Sequence, residues 1–423
     1  MSFPRKREST NHRTAVDPRF RGGDTRGGYP FENRVNYMDT RPSLLRLLAA
    51  VFSFILVAPG SSAEKPKVID LGPDLAAVRE KYDFPALAAA VIVEGKLHAA
   101  GVVGVRKYGS DVKAEPNDPF HLGSCTKAMT GTLVGLLVQQ GKLKWETPLV
   151  EYFPDLKDKM HPDYRKVTLV HLLSHRAGVP PMTNGFAPVG GLQLLVIRAT
   201  ESPSAQRKRV AEIVLTQPPV NKPGEKMEYS NAGISIAGAI VDRVMGEDYE
   251  AVLRRMLFEP LGMKTAGFGP MGTPGQIDAP WQHRKDGDRI VPIAPLPLND
   301  NPLFITPAGR VHCSIGDWAR YIQCVLKAMR GEEGLLPPGQ VRQLQEAPFG
   351  GNYALGWGIA ARDWAGGKVL QHAGSNGGNF CVVWVAPLKN FAVLAATNRG
   401  GDGAPEGLDQ VCSEMIKKFL TAK

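Results

Sequence analysis

Two apolar runs near the start of the chain, residues 87–93 and 97–105, flank Glu94-Gly-Lys96 and predict two strands joined by a tight turn. After a loop to Phe120, Met129, Leu133, Leu136 and Leu137 recur at helical spacing, and Gly141 marks the end of that helix. Residues 145–345 mix short helical patterns with Pro- and Gly-rich loops, and 167–174 and 232–245 are the clearest helices there. Strand patterns return at 368–372, 380–386 and 391–397, the last two separated by Pro387-Leu-Lys-Asn390. A final helix carries Leu408, Val411, Met415, Ile416 and Phe419 on one face. Strands at both ends with helices between them predict an α/β fold of the α+β type. One antiparallel sheet is built from both termini and flanked by helices, with a mainly helical insertion.

Composition changes this picture only at the N-terminus. The 423 residues are 43% hydrophobic and 22% charged, an ordinary globular balance that allows one large domain or two. The net charge of +10 hints at nucleic acid, but the first 63 residues hold ten Lys and Arg against five Asp and Glu. The remainder therefore carries 41 against 36, with no basic stripe interleaved with aromatics, so no nucleic-acid partner is expected. Residues 38–63 read as a secretory signal. Arg41 and Arg46 form its charged start, an apolar run follows to Ala58, and Ser61-Ser-Ala63 is a small-residue cleavage site. The run is short for a membrane span, so an exported chain without an integral membrane domain is expected. A retained N-terminal anchor is the alternative, and the absence of a cysteine after the run argues against lipidation. Residues 1–37, rich in Arg, Gly and Asp without apolar periodicity, predict a disordered leader, with Met38 as the natural start.

The candidate chemistry begins at His121-Leu-Gly-Ser-Cys-Thr-Lys127. A serine hydroxyl needs a neighbour to take its proton, and three residues along a helix bring Lys127 to the face of Ser124. The helix N-terminus disfavours a charged lysine there and favours an oxyanion. By itself the pair is also what a serine N-cap and a solvated lysine look like. A second motif, Glu228-Tyr229-Ser230-Asn231-Ala232, follows the loop Asn221-Lys-Pro-Gly224 and opens a helix. Tyr229 is placed to pass a proton if a nearby lysine lowers its pKa, and the Asn231 amide can hold a substrate carbonyl or the lysine. The third, Gln371-His372-Ala373-Gly374-Ser375, ends a strand whose edge suits an extended acyl substrate. Its N–H groups can complete an oxyanion hole with that of Ser124.

Separated by 105 and then 143 residues, the three motifs resemble the S-x-x-K, Y-x-N and K-T-G boxes of penicillin-recognising serine hydrolases. The resemblance extends from Phe84 to the C-terminus. It takes in Leu172-Leu-Ser-His-Arg-Ala-Gly178, Pro260-Leu-Gly-Met263, Thr306-Pro-Ala-Gly-Arg310 and Tyr353-Ala-Leu-Gly-Trp-Gly358. The chain is similar to the class C β-lactamase-related family, which also contains D-alanyl-D-alanine peptidases and esterases. A β-lactamase/transpeptidase-like domain over 64–423 is implied. In that family Ser124 would be acylated, with Lys127 and Tyr229 sharing base and proton-shuttle work. Asn231 would orient Lys127 or the substrate amide, and Ser124 and Ser375, beside Gly374, would supply the oxyanion-hole N–H groups. His372 stands where β-lactamases of this class carry Lys. A histidine, with an ordinary pKa near 6.5, does not offer the permanent cation that a β-lactam carboxylate favours.

The implied function is a serine hydrolase of esters or D-amino-acid peptides, with a small-molecule or peptide acyl substrate and no metal or cofactor. β-Lactam hydrolysis is the alternative, as is a slowly acylating, non-catalytic sensor of cell-wall fragments. Other chemistries fit less well. His171 and His175 have the spacing of a zinc pair, but Leu172 stands where H-E-x-x-H requires Glu. No G-x-S-x-G elbow occurs. The five cysteines, Cys125, Cys313, Cys324, Cys381 and Cys412, are odd in number and scattered, which predicts buried free thiols. Nothing in the sequence marks Cys125 as a lowered-pKa nucleophile.

Overall fold

The computed structural model describes residues 68–183 and 200–421. The leader and signal expected over 1–63 lie outside these residues. Strands β1 (Ile69–Asp70), β2 (Ala86–Val93) and β3 (Lys96–Gly104) open the described chain. In the middle lie β4 (Phe120–His121), β5 (Gly267–Phe268), β6 (Gln282–Asp286), β7 (Arg289–Ile293) and β8 (Val311–Cys313). β9 (Gly358–Arg362), β10 (Gly367–Ser375), β11 (Phe380–Ala386) and β12 (Phe391–Thr397) close it. The main sheet has the order β1-β3-β2-β12-β11-β10-β9, so the two ends of the chain meet where β2 pairs antiparallel with β12.

Burial explains why the central strands are nearly continuous apolar runs. In β2, Ala86, Ala88, Ala90 and Ile92 face one core, and Leu87, Ala89 and Val91 face the other. β12 repeats the pattern, with Ala392, Leu394 and Ala396 on the first side and Phe391, Val393 and Ala395 on the second. Period-two alternation feeds two hydrophobic layers at once. The second layer is closed by Leu75 and Val78 of the helix Gly72–Lys81 and by Leu408, Val411 and Met415 of the helix Ala404–Ile416. The first is closed by the inserted region, including the helices Thr126–Gln139, Asn231–Met245 and Ile315–Met329.

Several expectations change in detail. The sheet is not wholly antiparallel, because the two-residue β1, too short to leave a pattern, joins β3 in parallel. The insertion also carries β4, β8 and β5 as a three-stranded sheet and β6–β7 as a hairpin. The helix expected at 167–174 spans Leu169–Leu173. The helix after Ser124 shows no single apolar face: every residue from Thr126 to Leu137 is buried, as in a helix enclosed on all sides. Among the described residues, no helix is long and apolar enough to cross a membrane.

The enclosed helix sets the sign of one substitution. Helix propensity alone favours Gly131→Ala by about 1 kcal/mol. A Cβ at Gly131, however, would stand 2.3 Å from the Leu355 carbonyl oxygen, a backbone atom that cannot swing away. Gly131→Ala is expected to lower the unfolding free energy, as read by urea titration; a gain would contradict the packing described.

Candidate active site

Ser124 sits on a 3₁₀ turn, Gly123–Cys125, between β4 and the helix Thr126–Gln139. Gly123 has φ +46°, and a Cβ there would lie 2.3 Å from the Ser375 nitrogen. A Cβ on Gly374 would lie 2.9 Å from the Ser124 nitrogen. The two glycines thus let the Ser124 turn and the end of β10 meet backbone to backbone. Beyond Gln371, β10 loses its pairing to β9, so Ala373–Ser375 presents an open strand edge.

Lys127 lies one turn along the helix and is fully buried. Its Nζ donates to Ser124 Oγ at 3.0 Å, Asn231 Oδ1 at 2.8 Å and the Ala308 carbonyl at 2.7 Å. Burial disfavours the ammonium and brings the pKa down to about 7. Asn231 opens the helix Asn231–Met245, whose N-cap is Ser230, with Oγ accepting from Gly233 N–H at 2.9 Å. The Asn231 Nδ2 donates to the Met182 carbonyl at 3.0 Å, so both ends of this amide are used within the protein.

Tyr229 packs its ring under Lys127, with Nζ 4.8 Å from the ring centroid. The expectation that a lysine lowers its pKa fails. Burial raises the phenol above its ordinary value, although its interaction with Ser124 pulls the other way. The desolvation that discharges Lys127 thus also keeps the phenol protonated.

His372 is buried in β10. Its Nδ1 faces the Ala373 carbonyl at 2.7 Å, an acceptor only, so Nδ1 carries a proton. Its Nε2 pairs with the Tyr353 hydroxyl at 2.9 Å. Tyr353 was legible as part of the 353–358 block, but nothing in the sequence gave it a partner. His175 completes an aromatic cluster, with its ring 4.4 Å from Tyr229 and 4.7 Å from Tyr353. Held at φ +59°, it accepts from the Ser230 N–H at 3.1 Å, and burial, with Lys127 and His372 nearby, drives its pKa well below 6.5. His171 instead caps its own helix, with Nδ1 accepting from the Thr168 N–H at 3.3 Å. The pair with zinc spacing thus serves two separate structural purposes.

Cys125 differs from expectation. Burial pushes its thiol up, but Cys381, 3.5 Å away, together with His372 and Lys127, outweighs this and brings it down to about 6. The sulfur is nonetheless buried, 3.5 Å from the His372 carbonyl of β10.

Residues 74–411 match the family model described as Beta-lactamase. The chain belongs to the Beta-lactamase family. Penicillin-binding protein 4 of Amycolatopsis lactamdurans is similar, at 28% identity over 77% of this chain and 83% of that protein. Among solved structures, the octameric penicillin-binding protein homologue from Pyrococcus abyssi superposes with TM-score 0.66 at 25% identity, covering 82% of this chain and 78% of that one. D-amino acid amidase from Ochrobactrum anthropi shares the fold, with TM-score 0.64 at 20% identity over 82% of this chain and 98% of its own. This Beta-lactamase-family chain is therefore a serine hydrolase in the broad sense of its family.

The buried lysine also links stability to pH. Its folded pKa is depressed to about 7 from 10.5, so the unfolded chain holds the extra proton between those values. The stability contributed by the neutral amine is present in full above the ordinary lysine range and is lost as pH falls towards 7. Relative to Lys127→Met, the wild type should gain up to about 1.4 kcal/mol of unfolding free energy per pH unit between pH 7.5 and 9.5. Denaturant titrations of both proteins across that range check the slope; parallel curves would contradict it.

Proposed function

We propose that this protein hydrolyses esters or D-amino-acid peptides through an acyl-Ser124 intermediate. The observation that carries the reading is the Lys127 amine, 3.0 Å from Ser124 Oγ, with a pKa of about 7. A base poised near neutral pH has the best combination of free amine and proton affinity. In its neutral form Lys127 spends its two N–H groups on Asn231 Oδ1 and the Ala308 carbonyl, so its lone pair faces Ser124 Oγ and takes the hydroxyl proton as Oγ attacks the acyl carbon. The carbonyl oxygen gains negative charge, stabilised by the N–H groups of Ser124 and Ser375. On collapse the Tyr229 hydroxyl protonates the leaving group and recovers a proton from Lys127. Water then repeats the sequence on the acyl-enzyme and frees Ser124. The raised pKa of Tyr229 keeps its hydroxyl protonated at rest, so it enters the reaction as a proton carrier and Lys127 as the base. Asn231 holds Lys127 through Oδ1 and the Met182 carbonyl through one Nδ2 hydrogen, which leaves its second Nδ2 hydrogen for a substrate carbonyl.

The third motif supports this substrate class. Both His372 ring nitrogens are engaged, by Tyr353 and by the Ala373 carbonyl, so this position offers no ammonium to a β-lactam carboxylate. An extended acyl chain can add to the open edge at Ala373–Ser375. The signal-like residues 38–63 support a site of action outside the cytoplasm.

A short-chain nitrophenyl ester, a D-Ala-D-Ala peptide and a chromogenic cephalosporin, each assayed beside Ser124→Ala, test the reading. The ester or peptide should turn over fastest, with kcat/KM rising through pH about 7 as Lys127 loses its proton. Ser124→Ala should lose at least about 10³-fold. Full activity in that variant, or a cephalosporin preference, would refute the corresponding half of the proposal.

A further inference from the structure

Asp300 belongs to none of the recognised motifs, yet its side chain is wholly buried beside the site. His121 Nε2 stands 3.2 Å from Oδ1, and Arg310 Nε stands 3.5 Å from Oδ2. Neither is an aligned hydrogen bond; the Arg310 contact is an ion pair and the His121 contact is one of close packing. The aligned bond comes from Asn376, whose Nδ2 donates to Oδ1 at 2.8 Å. Burial alone would raise the carboxyl pKa, but His121, Arg310 and Asn376 together hold it below the usual carboxylate range.

Two of the partners continue into the backbone of the site from opposite directions. His121 Nδ1 accepts from the Gly123 N–H at 3.1 Å, in the turn that carries Ser124. Asn376 follows Ser375 directly, and its Oδ1 accepts from the N–H groups of Gly378 at 3.3 Å and Asn379 at 3.0 Å. The Asn379 carbonyl in turn accepts from Ser375 Oγ at 2.8 Å. A path of contacts therefore runs from the Ser124 turn, through one buried carboxylate, to the loop that fixes Ser375. A buried charge is a costly way to fill space unless it is paired.

We propose that Asp300 is a positioning residue that sets the spacing of the Ser124 and Ser375 N–H groups, acting through His121 on one side and Asn376 on the other. The proposal rests on the acyl-Ser124 reading. N–H groups aimed at an oxyanion stabilise charge that exists only in the transition state, so a spacing error lowers kcat more than it raises KM.

The test compares Asp300→Asn and Asn376→Ala with wild type on a nitrophenyl ester, after titrating acylatable serine with a fluorophosphonate. Asn376→Ala keeps the buried Arg310 ion pair and the His121 contact and serves as the second probe if Asp300→Asn folds poorly. Per titrated site, kcat should fall tenfold or more while KM moves less than threefold. The affinity of a boronic acid, which mimics the tetrahedral state on Ser124, should fall by the same factor as kcat/KM. The proposal is overturned if kcat and boronate affinity stay within twofold of wild type in a folded, fully titratable variant. A loss confined to KM also overturns it. Activity surviving in Ser124→Ala would instead sink the acyl-Ser124 reading itself.

Discussion

Lys127 Nζ, shut off from solvent, hydrogen-bonds three segments: Ser124 on its own helix, Asn231 104 residues away and the Ala308 carbonyl 181 residues away. An amine buried this completely must satisfy its donors within the protein. The inserted region is therefore obliged to bring the start of the helix Asn231–Met245 and the Thr306–Gly309 turn to one point beneath Ser124. The same enclosure strips water from the amine, so its pKa falls to about 7. One packing constraint thereby shapes the insertion and tunes the candidate base.

The sheet supplies the fixed frame for that constraint. β2 and β12, each buried on both faces, join the two ends of the chain in the middle of the sheet. Their alanines keep the surface low where the helix Ile315–Met329 packs on the sheet. β10 lies two strands further out, next to the edge strand β9, and outruns it at Ala373–Ser375. A rigid strand thus ends in an exposed main-chain edge against the Ser124 turn. This is the arrangement that β-strand addition requires.

Much of this frame is legible along the chain. The strand patterns at 380–386 and 391–397 coincide with β11 and β12, because half-buried and fully buried strands leave strong local signals. β9 and β1 leave none, being an edge strand and a two-residue strand. The helix after Ser124 was expected to have one apolar face. Thr126, Thr130 and Thr132 disguise its complete burial, since threonine looks polar in sequence while its hydroxyl finds buried partners, as Thr130 does on Tyr249 at 2.7 Å. The direction of the Tyr229 shift is hidden for a related reason. The sequence suggests a neighbouring lysine but not the desolvation that acts on both groups at once.

Sequence alone singled out the candidate residues for the chemistry: Ser124, Lys127, Tyr229 and Asn231, and a histidine in place of the third-motif lysine. It did so because residue type and short-range spacing fix which groups are nucleophiles, bases and donors. Tertiary structure decided what each of them is doing. It set Asn231 between Lys127 and Met182, engaged both nitrogens of His372, lowered the Cys125 thiol while enclosing it, and put the buried Asp300 among His121, Arg310 and Asn376. Protonation and hydrogen-bond pairing depend on desolvation and on neighbours tens to hundreds of residues away. Only the folded chain brings those neighbours within 3 or 4 Å.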